Sequence, residues 1–193
     1  MPIGYLQPLR YSFKRMPLAY IALGANLSSP TGPPEATLAA AAERLAAIGR
    51  IAACSSLYST APVGFAKQPR FVNAVLALET DLSPRGLLSM LLAIEHGFGR
   101  TRDPRRPNGP RTLDLDLLFY GDLVLGASGL ELPHPRLAER AFVLVPLHEV
   151  APDLRDPRSG ETIAQLLAAL SIPTDQIDAT RIESDHWTAH LAR

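Results

Sequence analysis

Blocks of apolar residues, separated by polar turns, predict alternating strands and helices along the first half of the chain. Residues 18–23 are an apolar run that predicts a buried strand. From 35 to 48, apolar residues recur at helical spacing and predict a helix, which Gly49 would end as a C-cap. Residues 51–59 begin with an apolar run and predict a second strand. Residues 71–80 are rich in Val, Phe and Leu and predict a third strand.

The same alternation continues after residue 80. Ser83 as N-cap and Pro84 at the first helical position begin a predicted helix that ends near Gly97. Residues 99–110 then predict a loop, and residues 111–120 predict a fourth strand. The order strand, helix, strand, strand, helix, strand is typical of the α+β class. It predicts a ferredoxin-like antiparallel sheet with helices packed on one face.

The remaining segments add less to this plan. Residues 142–147 predict a further strand, and residues 162–170 predict a last short helix. We interpret residues 1–17 as an N-terminal extension, residues 18–172 as one domain, and residues 173–193 as a C-terminal tail whose pattern predicts no element. A chain of 193 residues is a usual size for one domain.

Composition narrows the class of protein. The chain carries 19 basic and 19 acidic residues, and this balance argues against broad nucleic-acid binding. The single cysteine, Cys54, cannot form an internal disulfide, which indicates a reducing compartment. Its apolar neighbours favour a small core residue over a catalytic thiol. No apolar run approaches the roughly 18–20 residues of a membrane span. We therefore expect a cytoplasmic protein, and we expect it to be a monomer.

Two carboxylates stand out in the predicted fourth strand. Because side chains of a strand alternate between faces, Leu113, Leu115 and Leu117 would face the core. Asp114 and Asp116 would share the opposite face, about 7 Å apart. A hard divalent cation such as Mg²⁺ would neutralise their repulsion and leave room for phosphate oxygens. The alternative is an amphipathic strand with a solvated acidic face.

An arginine-rich segment leads into that strand. Residues 100–111 hold five arginines and one aspartate, a net charge of +4. Guanidinium groups match phosphate oxygens, and such a loop beside a carboxylate pair suits phosphoryl transfer. Its prolines and glycines favour a loop that closes over a nucleotide. A solvated basic loop and a nucleic-acid patch are the alternatives.

Other sequence features exclude two common nucleotide sites. No Gly-x-x-x-x-Gly-Lys-Ser/Thr loop occurs, so a P-loop kinase is excluded. No Gly-x-Gly-x-x-Gly lies between a strand and a helix, so a Rossmann site is unsupported. Lysine occurs only at Lys14 and Lys67, so arginines would have to bind any phosphate.

Three isolated polar residues each allow a functional and a structural interpretation. Asn73 interrupts an apolar strand and could bind the edge of a flat heterocyclic ligand through its donor and acceptor, or be a satisfied structural amide. Glu95 could belong to a site or be a solvated helix residue. His134 lies between two prolines in a rigid segment that would hold its side chain toward a phosphate, whereas a lone histidine is more often structural.

At this point the motifs resemble one family, 6-hydroxymethyl-7,8-dihydropterin pyrophosphokinase. The resemblance runs from about residue 19 to residue 153, and GPRTLDLD is its most specific motif. The matching pieces are YIALGANL at 20–27, YSTAPVG at 58–64, FVNA at 71–74, IE at 94–95, GRTR at 99–102, GPRTLDLD at 109–116, PHPR at 133–136 and ERAFVL at 139–144.

The resemblance implies an activity and roles for particular residues. Such enzymes use ATP with two Mg²⁺ ions and transfer the β,γ-pyrophosphate to the hydroxymethyl oxygen of the pterin. It implies small-molecule partners only, pterin and ATP, without nucleic acid or membrane. It also implies metal ligands (Asp114, Asp116), a pterin pocket (Thr60, Pro62, Val63, Phe71, Asn73, Phe142), ATP contacts (Glu95, Arg100, Arg111, His134, Arg140) and a catalytic set of Arg100, Arg102, Arg111 and both aspartates.

Three alternatives stay open at this stage. An RNA-binding module would explain the arginines, because ferredoxin-like sheets also bind RNA, but it has no need of Asp114 beside Asp116. A metal-dependent nuclease or phosphatase would use the carboxylates to activate water. A relative that binds ligands without turnover is the third, and the intact carboxylate pair argues against it.

Overall fold

An antiparallel sheet forms the centre of the protein. This computed structural model describes residues 16–64, 67–101, 109–170, 178–184 and 187, and six strands of that part pair in one sheet. The strands of the described residues are β1 (Leu18–Ala25), β2 (Arg50–Cys54), β3 (Leu57–Thr60), β4 (Phe71–Glu79), β5 (Asp114–Tyr120), β6 (Leu125–Ala127), β7 (Leu130–Leu132) and β8 (Ala179–Ile182). The order in the sheet is β5-β1-β4-β3-β8, with β2 also paired to β4, while β6 and β7 form a separate hairpin. The predicted antiparallel α+β architecture is confirmed.

Helices cover both faces of this sheet. They are α1 (Pro34–Ala46), α2 (Pro84–Gly97), α3 (Ala141–Val150) and α4 (Ile163–Ala168). One core layer joins α1 and α2 to residues such as Ile21, Leu23 and Leu76. A second joins α3 and α4 to Tyr20 and Val75 on the opposite face. Helices α1 and α2 therefore share one face, as the ferredoxin-like order predicts, whereas α3 and α4 bury the other apolar side of β1 and β4.

Most of the boundaries predicted for the first half are confirmed. Helices α1 and α2 lie within a few residues of their predicted ranges, and the Oγ of Ser83 accepts a hydrogen bond from the backbone N–H of Gly86 at 3.2 Å. The predicted short helix near 162–170 is α4, which Thr162 caps together with Gln165. Strand β5 begins at Asp114 rather than at residue 111, because Arg111 pairs with the turn at Asn26 instead of with β1.

The predicted single strand at 51–59 is divided into β2 and β3. At the break, the buried Ser55 donates its backbone N–H to the carbonyl of Val75 at 2.8 Å. Its Oγ in turn accepts the N–H of Val75 at 2.9 Å. Ser56 turns away and donates from its N–H and Oγ to Glu149 of α3. A side-chain oxygen thus replaces one backbone acceptor of the ladder and lets the strand bend.

Residues 142–147, predicted as a strand, are part of helix α3. Val143, Leu144 and Leu147 fall on one helical face and pack against the sheet. A short apolar run is compatible with either element until its partners are known. Pro146 argued against a central strand, since proline cannot donate to the ladder.

The C-terminal residues supply a strand that the sequence pattern did not predict. Strand β8 pairs antiparallel with β3, from Leu57↔Ile182 to Thr60↔Ala179. The Nε1–H of Trp187 donates to the carbonyl of Ser55 at 2.6 Å, and its ring is buried. Among the helices in the described part of the chain, none has the length and apolar character that crossing a membrane requires.

Candidate active site

A cavity of about 450 Å³ opens at the end of the sheet where α3 begins. Because neighbouring strands are antiparallel, this end collects the last residues of β1 and β3 and the first residues of β4 and β5. The first turn of α3 closes the cavity from above the sheet. It is lined by Gly24, Thr60, Ala61, Pro62, Val63, Phe71, Asn73, Arg111, Asp114, Arg136, Glu139, Arg140, Ala141, Phe142, Leu170 and Asp178.

The residues predicted to bind a pterin meet in this cavity. All six line it, although they come from β3, the loop after it, β4 and α3 (Thr60, Pro62, Val63, Phe71, Asn73 and Phe142). Arg111, Asp114 and Arg140 line the same space. Cationic, acidic and aromatic side chains therefore share one cavity.

Asn73 is held in a defined orientation within the cavity wall. Its Nδ2 donates to the Oγ1 of Thr60 at 2.7 Å, and both residues are buried. Its Oδ1 faces Gly24, where an added Cβ would lie only 2.8 Å away. The Thr60 contact uses one amide hydrogen, so a second N–H and the carbonyl oxygen remain as donor and acceptor for a ring edge.

The two aspartates share one face of β5, as predicted from the alternation of the strand. Leu115 and Leu117 are buried in the core layer under α1 and α2. Asp114 and Asp116 lie on the other face, with side chains 22% and 33% exposed. Both carboxylates are thus partly exposed while their strand is fixed by the core. Asp114 lines the cavity, whereas Asp116, two residues further along β5, lies outside its lining.

Arg100 and Glu95 form a buried anchor behind Asp114. The Nη1 of Arg100 contacts carboxylate oxygens of both Glu95 and Asp114 and donates to the carbonyl of Leu113 at 3.1 Å. The same Glu95 oxygen accepts the backbone N–H of Leu115 at 2.8 Å. Glu95 therefore fixes Arg100 and the start of β5, and it does not line the cavity.

Arg111 and Arg140 lie between carboxylates and aromatic rings. The Nε of Arg111 is 3.3 Å from Oδ2 of Asp114, and its guanidinium lies 5.1 Å from the ring centre of Phe71. The Nη1 of Arg140 donates to Oδ2 of Asp116 at 3.0 Å, with its guanidinium 5.5 Å from the ring centre of Phe142. These cation–π contacts place positive charge at the rim of an aromatic cavity.

His134 approaches Asp116 from the segment before α3. Its Nε2 is 3.9 Å from Oδ2 of Asp116, and its Nδ1 accepts the backbone N–H of Arg136 at 3.2 Å. Burial lowers the pKa of His134 below its usual value, although the Asp116 carboxylate opposes that shift. Because Nδ1 accepts a hydrogen bond, the proton of a neutral imidazole lies on Nε2, on the side of Asp116.

Sequence reasoning gave no role to Asn26, which links two walls of the site. Its Oδ1 accepts the N–H of Arg111 at 2.8 Å, and its Nδ2 donates to Gln68 and to the carbonyl of Pro69, each at 3.0 Å. The sequence signal that could have indicated this role is the position of Asn26 in the predicted turn of the YIALGANL motif. No comparable signal marked Asp178, because the tail predicted no element.

The carboxylate pair fits a hard divalent cation. In the described part of the chain, no group of three or more histidine, cysteine or acidic residues could hold a metal. Mg²⁺ commonly takes only one or two carboxylates and fills its remaining positions with water and phosphate oxygens. Two partly exposed aspartates on one rigid strand meet that requirement. Arg102 and most of the predicted closing loop lie outside the described residues.

Cys54 has the properties of a core residue. It packs against the core layer under α1 and α2. Burial raises the pKa of the Cys54 thiol to about 12, so almost none of it is the reactive thiolate at neutral pH.

Two pyrophosphokinases are similar to this chain in sequence. The chain is 51% identical over 150 residues to the 2-amino-4-hydroxy-6-hydroxymethyldihydropteridine pyrophosphokinase of Pseudomonas aeruginosa, covering 78% of this chain and 90% of that one. The Synechocystis protein of the same name is 45% identical over 166 residues, covering 85% and 78%.

Solved structures agree with the fold. The Plasmodium falciparum HPPK-DHPS wild type with SDX-DHP superposes with a TM-score of 0.63 at 15% identity, covering 87% of this chain. The match covers 47% of that longer chain, so this protein spans about half of it.

A family model matches most of this chain in sequence. The model described as 7,8-dihydro-6-hydroxymethylpterin-pyrophosphokinase (HPPK) matches residues 20–152, from β1 to the end of α3. This range contains all the predicted site residues, and the two curated relatives extend beyond it. The chain belongs to the 7,8-dihydro-6-hydroxymethylpterin-pyrophosphokinase family.

Proposed function

We propose that this chain transfers the pyrophosphoryl group of ATP to the hydroxymethyl oxygen of 6-hydroxymethyl-7,8-dihydropterin and releases AMP, as a step of folate biosynthesis. The observation that carries the proposal is the position of the Asp114 and Asp116 carboxylates. They lie among arginines at the rim of a cavity lined by two aromatic rings and a buried amide. Two curated relatives, 45% and 51% identical, bear the name of that activity.

The pterin binds in the cavity between Phe71 and Phe142. A flat bicyclic ring gains apolar contact and stacking from aromatic faces on either side. Asn73 selects the ring edge, because its oriented amide offers one donor and one acceptor side by side. Thr60, Pro62 and Val63 form the adjoining wall.

Asp114 and Asp116 hold Mg²⁺, with two ions expected from the family resemblance. When bound, Mg²⁺ neutralises charge on the phosphate oxygens and so favours displacement at the β-phosphorus. The rigid β5 strand keeps both carboxylates on one side of the reacting groups. Arg100, Arg111 and Arg140 pair with these carboxylates in this structure. Once the carboxylates bind a cation, these guanidinium groups can bind phosphate oxygens instead.

Arg100, Arg111, His134 and Arg140 bind ATP through its phosphates. Guanidinium groups remain charged at any working pH and form forked contacts with phosphate oxygens. His134 contributes an Nε2–H donor beside Asp116. Glu95 belongs to the ATP site indirectly, because it fixes the position of Arg100. The family resemblance implies that Arg102 would help close the catalytic loop.

Positioning and charge neutralisation account for most of the catalysis. The pterin hydroxyl attacks the β-phosphorus in line with the departing AMP oxygen, so the protein supplies no covalent intermediate. Holding the hydroxyl and the phosphorus in contact removes the entropy cost of a two-substrate encounter.

Release of AMP from Mg·ATP, with and without the pterin, tests this proposal. We expect AMP to form only with pterin, and Asp116→Asn to lower kcat by about a hundredfold or more, since a charged group at the reacting centre is lost. Asp122→Asn, in the exposed turn after β5, is the matched control and should retain activity. Release of phosphate or ADP without pterin would indicate a hydrolase and contradict the proposal.

A further inference from the structure

Residues 178–184 and 187, called here the C-terminal segment, reach the cavity from outside residues 20–152, the range that the family model matches. Family matching ends at residue 152, whereas Leu170 and Asp178 both line the cavity. Asp178 directly precedes β8, whose first residue, Ala179, pairs with Thr60. Thr60 in turn orients Asn73. The position of this segment can therefore affect the Asn73 amide through Thr60, which contacts both Ala179 and Asn73.

Arg70 fastens this segment to the sheet beside the cavity. Its Nη1 donates to Oδ2 of Asp178 at 2.8 Å, and its Nη2 donates to Oδ1 of the same carboxylate. Its Nε and Nη2 also donate to the Oγ and carbonyl oxygen of Ser59, at 2.9 and 3.1 Å. One planar guanidinium thus bridges the start of β4, the end of β3 and the start of β8.

A second anchor lies at the far end of the same segment. Trp187 is 3% exposed within the core layer under α1 and α2, and its Nε1–H donates to the carbonyl of Ser55. Arg70 and Asp178 are about half exposed, at 46% and 53%. Exposed ion pairs contribute little to global stability because solvent screens them. Loss of this pair should therefore loosen the cavity wall without unfolding the protein.

We propose that the Arg70–Asp178 ion pair holds the C-terminal segment as a wall of the pterin cavity, making both residues positioning residues for pterin affinity. This inference rests on the proposed function. The wall acts through geometry: it fixes the strand that carries Thr60 and closes the cavity side that Asp178 lines. Pterin binding should depend on it, while the phosphate contacts at Arg100, Arg111 and Arg140 should not.

Equilibrium titration of the pterin, in the presence of a nonhydrolysable ATP analogue, tests the inference without requiring turnover. The variants are Arg70→Ala, Asp178→Ala and the charge-exchanged double variant Arg70→Asp with Asp178→Arg. Arg50→Ala is the matched control, because it removes an exposed ion pair with Glu79 that does not line the cavity. Acrylamide quenching of Trp187, the single tryptophan, reports docking of the segment independently.

We expect each single variant to weaken pterin affinity about three- to tenfold and to raise quenching of Trp187, as the loss of one bidentate pair would. Affinity for the ATP analogue should stay unchanged, and the double variant should recover most of the pterin affinity. Unchanged pterin affinity, or an equal loss for the ATP analogue, would overturn the inference. A wild type that binds pterin without forming product would contradict the proposed function alone, whereas one that binds no pterin would overturn both.

Discussion

Gly24 and Asn73 face each other across β1 and β4, and their contact sets the shape of the pterin site at the residue scale. The two residues are directly paired in the ladder. A Cβ on Gly24 would lie 2.8 Å from the Oδ1 of Asn73, closer than van der Waals contact allows. The missing side chain at Gly24 is therefore what gives the amide its space.

Gly24→Ala should weaken pterin binding by about tenfold or more, because the new methyl group displaces the Asn73 amide. The free energy of unfolding should fall by only about 1–3 kcal/mol, as for other overpacked sites. The measurement is KM for pterin at saturating ATP, together with a urea denaturation curve.

Gly97→Ala is the control for that variant. Gly97 ends α2, and a Cβ there meets no heavy atom within 4 Å, so affinity and stability should be retained. Equal pterin KM values for Gly24→Ala and the wild type would show that the Asn73 amide does not select the ring.

Residue patterns predicted some of the site and missed the rest for a physical reason. The period of two in a strand was enough to place Asp114 and Asp116 together on one face. The burial of Glu95 under Arg100 depends on the end of α2 lying beside β5, a contact between elements that no local pattern contains.

At the scale of elements, Asn26 joins three segments that meet at the cavity. It lies just after β1 and is 4% exposed. Its amide bonds both the backbone of Arg111, before β5, and the carbonyl of Pro69, before β4. The position of Arg111 relative to the start of β4 therefore depends on this side chain, together with the backbone N–H groups of Asn26 and Leu27 that donate to the carbonyl of Arg111.

Asn26→Ala should lower the free energy of unfolding by about 3 kcal/mol, since it leaves buried backbone groups without partners. It should also weaken both pterin and ATP binding, because the two walls lose their common support. Thr37→Val is the control: it removes buried hydrogen bonds to Ser29 and Pro33 at the start of α1, away from the cavity lining. If both variants unfold more easily but bind substrates alike, the linking role of Asn26 would be refuted.

Two elements show where a sequence pattern is insufficient. The apolar run 142–147 shows no period that separates a strand from a helix. Pro146 disfavours a central strand, and the packing of this run against β4 accounts for helix α3. Strand β8 has a mixed pattern because its residues Thr180 and Arg181 are exposed, and its hydrogen bonds come from β3 more than a hundred residues earlier. Both depend on partners distant in sequence.

At the scale of the whole molecule, the two faces of the sheet differ in what covers them. The face under α1 and α2 is a continuous apolar core that keeps the strands rigid. The other face is covered by α3 and α4 over part of its length, and the cavity occupies the end where α3 begins. Three arginines, Arg111, Arg136 and Arg140, meet at that end in a chain whose formal net charge is zero.

The identity of the products tests the central claim most directly. Phosphorus NMR of a reaction with Mg·ATP and 6-hydroxymethyl-7,8-dihydropterin should show AMP and a pterin diphosphate forming in equal amounts. ADP with a pterin monophosphate, or inorganic phosphate formed without pterin, would contradict pyrophosphoryl transfer at this site.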